Sequence, residues 1–419
     1  MFYLGLGSRL AFEAANVNEA RLLAVEIKLN AVCFFQATFA RTENHKIMRI
    51  GIVGGGQLGR MFIQNALNYG HEVWTLDPDP EAPCSQISHR FICADRNDEQ
   101  AVYEMGKQCD VVTIEIENVS VEALERLEQE GVEVYPQPRI LKMVKDKGAQ
   151  KLFYEAHGFP TAPYALIESK EELKQHTELF PVMQKMRVGG YDGKGVTPVR
   201  SMDDWDTAFD APSVLEQWVD YEVELSVLVA RNARGDVRSF PVVEQVFNEE
   251  ANLVDYLVSP ADITKEVEEE ARSMAERLIK EIDMVGLLAV ELFLTKDGKV
   301  LINEIAPRPH NSGHHTIEAC FTSQFDIHMR SILNWPLGDT RLRCAGAMVN
   351  LLGEKGHSGP VVYQGMPEAI ATSGVFPHVY GKALTKPFRK MGHVTVLADS
   401  REEALEKAQK VKELIKVIA

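Results

Sequence analysis

Glu291 and Glu304 stand on two apolar runs, 287–295 and 300–305, separated by Asp297-Gly298. That dipeptide suits a two-residue hairpin loop, because both residue types tolerate positive φ. With Asp297 and Gly298 as the loop, Lys296 faces Lys299, Thr295 faces Val300, and Glu291 faces Glu304. Two carboxylates then share one sheet face with Cβ atoms about 5 Å apart, and like charges so placed repel. A divalent cation relieves the repulsion, and hard Mg²⁺ takes one or two carboxylates plus substrate phosphates. The competing register is a one-residue slip through a Gly bulge, which sets Asn303 opposite Glu291 and leaves the acids as surface groups. Just downstream, Arg308, His310, Asn311, His314 and His315 crowd an irregular stretch containing Pro307, Pro309 and Gly313. The spacing lacks the helical H-E-x-x-H of a zinc site, so Arg308 and His310 read as substrate ligands beside Mg²⁺.

A second group of residues suits phosphates. Lys185 lies in an apolar run, 180–186, where an ammonium is costly without an anionic partner, and a ligand phosphate would be one. Directly after it come Gly189, Gly190, Tyr191, Asp192, Gly193, Lys194 and Gly195. Such a flap can cradle phosphate oxygens on backbone N–H groups, or be only a flexible hairpin loop. It is not a Walker loop, since G-x-x-x-x-G-K-[ST] is absent. Asp146-Lys147 opens a helix over 148–157. Glu216 sits in 214–219 with Gln217, Trp218 and Val219, and Glu224 lies on the next strand, 221–230. Those acids suit an adenine amine and ribose hydroxyls, or merely cap a sheet edge.

Gly54, Gln57, Leu58 and Gly59 belong to a G-x-G-x-x-G turn after the strand 49–53, and Asp77 ends the next strand. Alone, this pattern points to an NAD-dependent oxidoreductase, with Asp77 on the ribose. The same glycines serve any phosphate on a helix N-terminus, or tight helix packing. Glu115, Ile116, Glu117 and Asn118 lie at a strand's carboxyl end, where open α/β sheets bind ligands, or form a solvated loop.

The elements that must position these groups alternate: helix 60–69, strand 72–76, helix 102–107, strand 110–115, helix 121–130 and strand 132–135. That order implies a parallel sheet covered on both faces. Pro136-Gln137-Pro138 marks a boundary. An amphipathic helix spans 263–282. Short strands at 347–352 and 393–397 and a helix at 401–415 close the chain. The expected fold is α/β and α+β, with a Rossmann-like domain over 48–138, a central domain over 139–343 and a small β-rich domain over 344–419. Residues 1–47 read as an appendage of no assigned function, or as a reading frame opened too early, with Met48 the true start.

A chain of 419 residues suits two to four domains. Lys and Arg total 45 against 61 Asp and Glu, a net charge of −16, which argues against nucleic acid or an anionic membrane as partner. The cysteines at 33, 84, 93, 109, 320 and 344 show no C-x-x-C spacing, so buried thiols of a reducing, cytoplasmic compartment are expected. No apolar run approaches the roughly 20 residues of a membrane span.

The order of parts resembles the ATP-grasp superfamily, and within it the 5-(carboxyamino)imidazole ribonucleotide synthetases. The resemblance covers Met48 to Ala419. It is most specific at GGGQLGRM (Gly54–Met61), EIEN (Glu115–Asn118), GGYDGKG (Gly189–Gly195) and NEIAPRPHNSGHHT (Asn303–Thr316), with YGK and RKMGH at 380–382 and 389–393. It implies a central ATP-grasp domain and a reaction in which ATP, Mg²⁺, bicarbonate and 5-aminoimidazole ribonucleotide give the N-carboxylated ribonucleotide, ADP and phosphate. ATP would meet Lys147, Lys185, the flap residues Gly190, Tyr191, Asp192, Gly193, Lys194 and Gly195, then Glu216, Gln217, Trp218, Val219, Glu224, Asn303 and Glu304. Glu291 and Glu304 would hold Mg²⁺. Gln57, Leu58, Glu115, Tyr191, Asp192, Lys194, Lys382 and Arg389 would contact the aminoimidazole ribonucleotide, with Arg308, His310 and Lys382 at the carboxylation centre. A homodimer and a separate carboxymutase downstream are also implied, since the mutase domain fused to fungal relatives is not seen here. Lys147 replaces an arginine of some relatives, Ala306 a metal-binding asparagine and Phe247 an ATP-side histidine. The rival readings are a formate-dependent glycinamide ribonucleotide ligase, whose flap is serine-rich, the NAD-dependent oxidoreductase, and a catalytically silent nucleotide-binding module.

Overall fold

A computed structural model describes residues 46–190, 195–248 and 253–419. The proposed appendage and the flap residues Tyr191, Asp192, Gly193 and Lys194 therefore fall, but for Lys46 and Ile47, outside the described residues. From Met48 onward the chain forms one unit.

Its first sheet holds β1 (Arg49–Val53), β2 (Glu72–Asp77), β3 (Arg90–Cys93), β4 (Val111–Ile114) and β5 (Glu133–Val134), in the order β3-β2-β1-β4-β5. All pairs are parallel. The helices α1 (Gln57–Leu67), α2 (Glu99–Gly106) and α3 (Val121–Gln129) make the crossovers, so β1 and β4 are buried along almost their whole length. Strand order reverses between β1 and β4, which opens a crevice at their carboxyl ends between the glycine turn and Glu115.

Helices α4 (Pro138–Lys145) and α5 (Lys147–Ala156) lead to a second sheet. There β6 (Tyr164–Ile167), β7 (Val182–Met186), β8 (Val196–Val199) and β9 (Ser213–Gln217) pair antiparallel in the order β6-β9-β7-β8. The third sheet begins with β10 (Tyr221–Arg231), β11 (Val237–Ser239), β12 (Val243–Asn248) and β13 (Leu253–Ser259). It is completed by β14 (Gly286–Thr295), β15 (Val300–Ala306), β16 (Ala345–Leu352), β17 (Val375–Val379) and β18 (Lys390–Ala398). Its path is β15-β14-β10-β12-β13-β16-β18-β17. The C-terminal part was expected to be a small β-rich domain, its pairing partners unassigned. Its principal strands extend the central sheet, because β16 pairs with β13 over Tyr256–Val349 to Ser259–Gly346.

The third sheet has a dry face and a divided one. Leu225, Val227, Leu288, Val290 and Leu292 pack on Ala271, Ala275 and Leu278 of α6 (Lys265–Glu281). On the opposite face, Leu228, Ala230, Leu287 and Ala289 lie under Ile327 of α7 (Gln324–Ile332). Period-two alternation brings Glu224, Ser226 and Glu291 to that same face, beyond the part that α7 covers. The polar end of this face is where chemistry is possible.

The β14–β15 hairpin corrects one expectation. Its loop has three residues, not two: Thr295 N–H donates to the Lys299 carbonyl at 2.9 Å, and Leu294 pairs with Val300. Asp297 keeps a negative φ, which excludes the two-residue type I′ turn, and only Gly298 is left-handed, at φ +81°. The Thr295 hydroxyl fixes this turn by bonding both Asp297 (2.5 Å) and the Lys299 amide (2.9 Å). Near the loop the register is therefore slipped by one residue. A bulge between Leu292–Ile302 and Glu291–Glu304 restores it, with Asn303 as the extra residue, so Glu291 does face Glu304.

Candidate functional site

The bulge does more than restore register. It turns Asn303 toward the second sheet, where its side-chain oxygen accepts from Lys185 Nζ at 3.1 Å. Glu304, next in sequence, pairs with Lys147 at the start of α5. Enclosure alone would raise the Glu304 pKa, but the charge and hydrogen bond of Lys147, with the Lys185 charge, together outweigh it, and the carboxyl is held below its usual range. Glu291 makes no lysine ion pair among the described residues. Burial first, then the charges of Glu304 and Glu224, raise it to about 7. His310 Nε2 lies 3.7 Å from a Glu291 oxygen, and burial keeps that imidazole neutral, at about 3.

Lys185 on β7 reaches Glu216 Oε2 at 2.8 Å, and Lys151 on α5 reaches Glu216 Oε1 at 3.2 Å. Burial would push Glu216 upward, but the two lysines outweigh it and its pKa is lowered. The anionic partner demanded by a buried Lys185 is thus Glu216, not only a ligand. Likewise Glu216, expected on the adenine side, has both oxygens engaged by lysines. Trp218 and Tyr221 are 45 % and 40 % exposed, and Tyr221 stacks on Phe293 at 4.8 Å.

At the first sheet's crevice, Glu115 accepts from the Gly56 amide at 2.6 Å and the Gly59 amide at 2.5 Å. A carboxylate of the chain itself therefore occupies the helix N-terminus where a ligand phosphate was expected. The close fit needs glycine: at Gly54, with φ +117°, and at Gly56, a Cβ would collide with the Glu115 side chain. Asp77 accepts from the Gly55 amide at 3.0 Å and from Arg96 at 2.8 Å, so the ribose acid of the oxidoreductase reading is internally used.

Arg308 Nε lies 2.8 Å from Glu117, joining the 306–315 segment to the first sheet. Gln324, fully buried at the start of α7, orders that segment. Its amide bonds the His310 carbonyl and His314 Nδ1, both at 2.9 Å, and its oxygen accepts from the His310 amide. His314 then stacks on His393, and His393 on His378, each at 4.5 Å. This ring column ties the segment to β18 and β17, with His378 bonded to Glu318 at 2.8 Å. Lys382 and Arg389 are anchored locally, on the carbonyls of Lys390 (2.8 Å) and Leu384 (2.6 Å).

Three parts of the chain match described families: a ribonucleotide synthetase preATP-grasp domain over 47–145, an ATP-grasp domain over 152–325, and a phosphoribosylaminoimidazole carboxylase C-terminal domain over 346–407. The N5-carboxyaminoimidazole ribonucleotide synthase of Bacillus subtilis is 37% identical over 361 residues, which cover 84% of this chain and 92% of the relative. The chain belongs to the N5-carboxyaminoimidazole ribonucleotide synthetase family. The crystal structure of the Thermotoga maritima synthetase superposes with a TM-score of 0.83 at 41% identity, covering 89% of this chain and all of the other. A synthase from Aspergillus clavatus, solved with ADP and 5-aminoimidazole ribonucleotide, gives a TM-score of 0.79 at 32% identity, covering 88% and 99%. Membership makes this chain an ATP-dependent ligase of the ATP-grasp type in purine biosynthesis.

In this synthetase the structure brings together Lys147, Lys185, Glu216, Glu224, Glu291, Asn303, Glu304 and His310 around one cleft between the second and third sheets. Gln57 and Leu58 open α1 beside Glu115, and Gly190 and Gly195 flank the undescribed part of the flap. Sequence reasoning missed Lys151 and Gln324 as parts of the site, and it marked Glu117 without its partner Arg308. The usable signal for Lys151 was its place four residues after Lys147, on the same helix face.

Proposed function

We propose that this synthetase N-carboxylates 5-aminoimidazole ribonucleotide with bicarbonate at the expense of ATP, through carboxyphosphate. The observation that carries the reading is the cleft itself, where Glu291 and Glu304 stand side by side opposite Lys147 and Lys185. Among the described residues no three His, Cys, Asp or Glu side chains converge as a metal cage. Two adjacent carboxylates, one of them raised to about 7 by burial and then by the neighbouring acids, fit a hard divalent ion that also takes phosphate oxygens. Glu291 and Glu304 would hold Mg²⁺, and Mg²⁺ when bound would neutralise charge on the transferring phosphoryl group.

Lys147 and Lys185 contribute cationic donors to the triphosphate, and Gly190 and Gly195 frame the flap expected to cover it. Exposed Trp218 and Tyr221 offer an apolar wall for the purine base, with Gln217, Val219 and Glu224 beside it. A bicarbonate oxygen attacks the γ-phosphoryl in line, and the γ–β bond breaks to release ADP. The resulting carboxyphosphate separates into CO₂ and phosphate, and the ribonucleotide's exocyclic amine takes the CO₂. Arg308, held by Glu117, orients the bicarbonate. His310, neutral and bonded to Ser312 at 2.9 Å, lines the carboxylation centre beside Glu291, and the phosphate freed from carboxyphosphate takes the proton that the amine loses. Gln57, Leu58, Lys382 and Arg389 are assigned to the ribonucleotide, with Glu115 fixing the turn that carries Gln57 and Leu58.

The formate-dependent alternative is tested by replacing bicarbonate with formate and following ADP. We further propose a cytoplasmic homodimer, in keeping with the free Cys84, Cys109 and Cys320, all buried. No helix among the described residues is long and apolar enough to cross a membrane. Sedimentation velocity of the purified protein checks the dimer.

A further inference from the structure

We propose that Lys151 is a positioning residue of the nucleotide cleft: it occupies one oxygen of Glu216 so that Lys185 keeps charge for the triphosphate, and it steadies the bulge that carries Asn303 and Glu304. The inference rests on the ATP-dependent reading above and extends it to a residue that meets no substrate.

Lys151 acts on the cleft in two ways, of which one is electrostatic. A lysine and a glutamate alone make a neutral pair with little attraction left for a third, anionic group. Here Glu216 is shared one oxygen to each lysine, Lys185 at 2.8 Å and Lys151 at 3.2 Å, so the trio keeps one positive charge. Lys185 is the member turned toward Asn303 and the cleft. Lys151 is not: only 3% of its side chain is exposed.

The second way is mechanical. Lys151 Nζ donates to Thr161 Oγ1 at 2.5 Å, and Thr161 Oγ1 donates to the Ile302 carbonyl at 2.8 Å. The Ile302 amide in turn donates to the Pro160 carbonyl at 2.8 Å. Both backbone groups of Ile302, the residue just before the bulge, are thus clamped by 160–161, and Lys151 secures the clamp. One helix face serves the same strand twice, since Lys147 at its start pairs with Glu304.

Lys151 faces Glu216 on β9, Lys185 on β7 and Lys147 on its own helix. Burial first, then the two lysines, lower its pKa to about 8 against the pull of Glu216. Above that pH, Lys151 loses its proton and Glu216 draws fully on Lys185, so affinity for an anionic nucleotide falls.

The test is steady-state ADP release by the full chain with ATP varied and the other substrates saturating, beside calorimetric binding of a non-hydrolysable ATP analogue. In Lys151→Met the KM for ATP and the analogue Kd should rise about tenfold, equal to about 1.4 kcal/mol, with the ribonucleotide KM little changed. Lys151→Arg should stay within about threefold of wild type, and Thr161→Val, which cuts only the clamp, should show about a threefold rise. The wild-type KM for ATP should climb as pH passes about 8, a readout that needs no variant and that a merely structural lysine would not give. A folded Lys151→Met with unchanged analogue Kd, or a wild-type KM flat to pH 9.5 or so, overturns the proposal. If wild type binds the analogue but releases no ADP with bicarbonate and aminoimidazole ribonucleotide, the parent reading fails while the binding arm still judges Lys151.

Discussion

Glu304 is the residue on which the electrostatics of the cleft converge: it faces one acid across the hairpin and one lysine across the cleft. Glu304→Gln keeps its shape and removes its charge, so ADP release at saturating ATP should fall by about 100-fold or more. Retention of most activity in that variant would refute its assignment as a metal ligand. Arg308 depends on Glu117 in the same way. Glu117→Gln leaves the guanidinium without its carboxylate, and bicarbonate-dependent turnover should drop by about tenfold, read as a rise in the KM for bicarbonate. The acids and Arg308 were legible in the sequence because their residue types are hard to explain on an apolar hairpin and a proline-rich loop. Lys151 was legible only as a neighbour of Lys147 on one helix face, not by its role. A lysine inside a Lys- and Glu-bearing helix looks solvated until the fold places Glu216 and Thr161 against it. Glu117 sat in a motif already marked, but its partner lies 191 positions away by the difference of the two numbers, and no local pattern joins them.

At the scale of elements, the hairpin shows how a right pairing can follow from a wrong turn. Counting outward from Asp297-Gly298 puts Glu291 opposite Glu304, and so does the structure, but by a slipped three-residue loop that Asn303 undoes. Side-chain bonding by Thr295 selected the turn, and a backbone count cannot see it. The glycine turn left a ligand phosphate and tight packing both open. Its strand, turn and helix are where the pattern puts them, yet the anion on the helix N-terminus is Glu115, from β4's end. Gly56→Ala should push that carboxylate aside and destabilise the protein by about 1–3 kcal/mol, read as a lower Tm in thermal unfolding. An unchanged Tm would mean the turn tolerates a Cβ and that Glu115 is not tightly held.

The whole molecule is organised by one long sheet. β15 and β14 carry the acids at one edge region, and β16, β18 and β17 continue the same ladder into the C-terminal part. The alternation of the first 90 or so residues after Met48 made the parallel sheet readable. The continuation through β12 and β13 was not, because such short strands carry no period long enough to assign pairing partners. Cutting the chain after Arg343 would bare the β13 edge and the apolar surface of Val258 that clusters with Ala347, Ala404 and Ala408, so that truncation should elute as aggregate in size-exclusion chromatography. A monodisperse, folded fragment would show instead that the C-terminal part is separable. The fullest test of the account is ADP release by the intact chain, with ATP and Mg²⁺ present and bicarbonate and 5-aminoimidazole ribonucleotide added singly and together. Rapid release only when both are present is the predicted result; release that ignores bicarbonate, or that formate supports equally well, would contradict it.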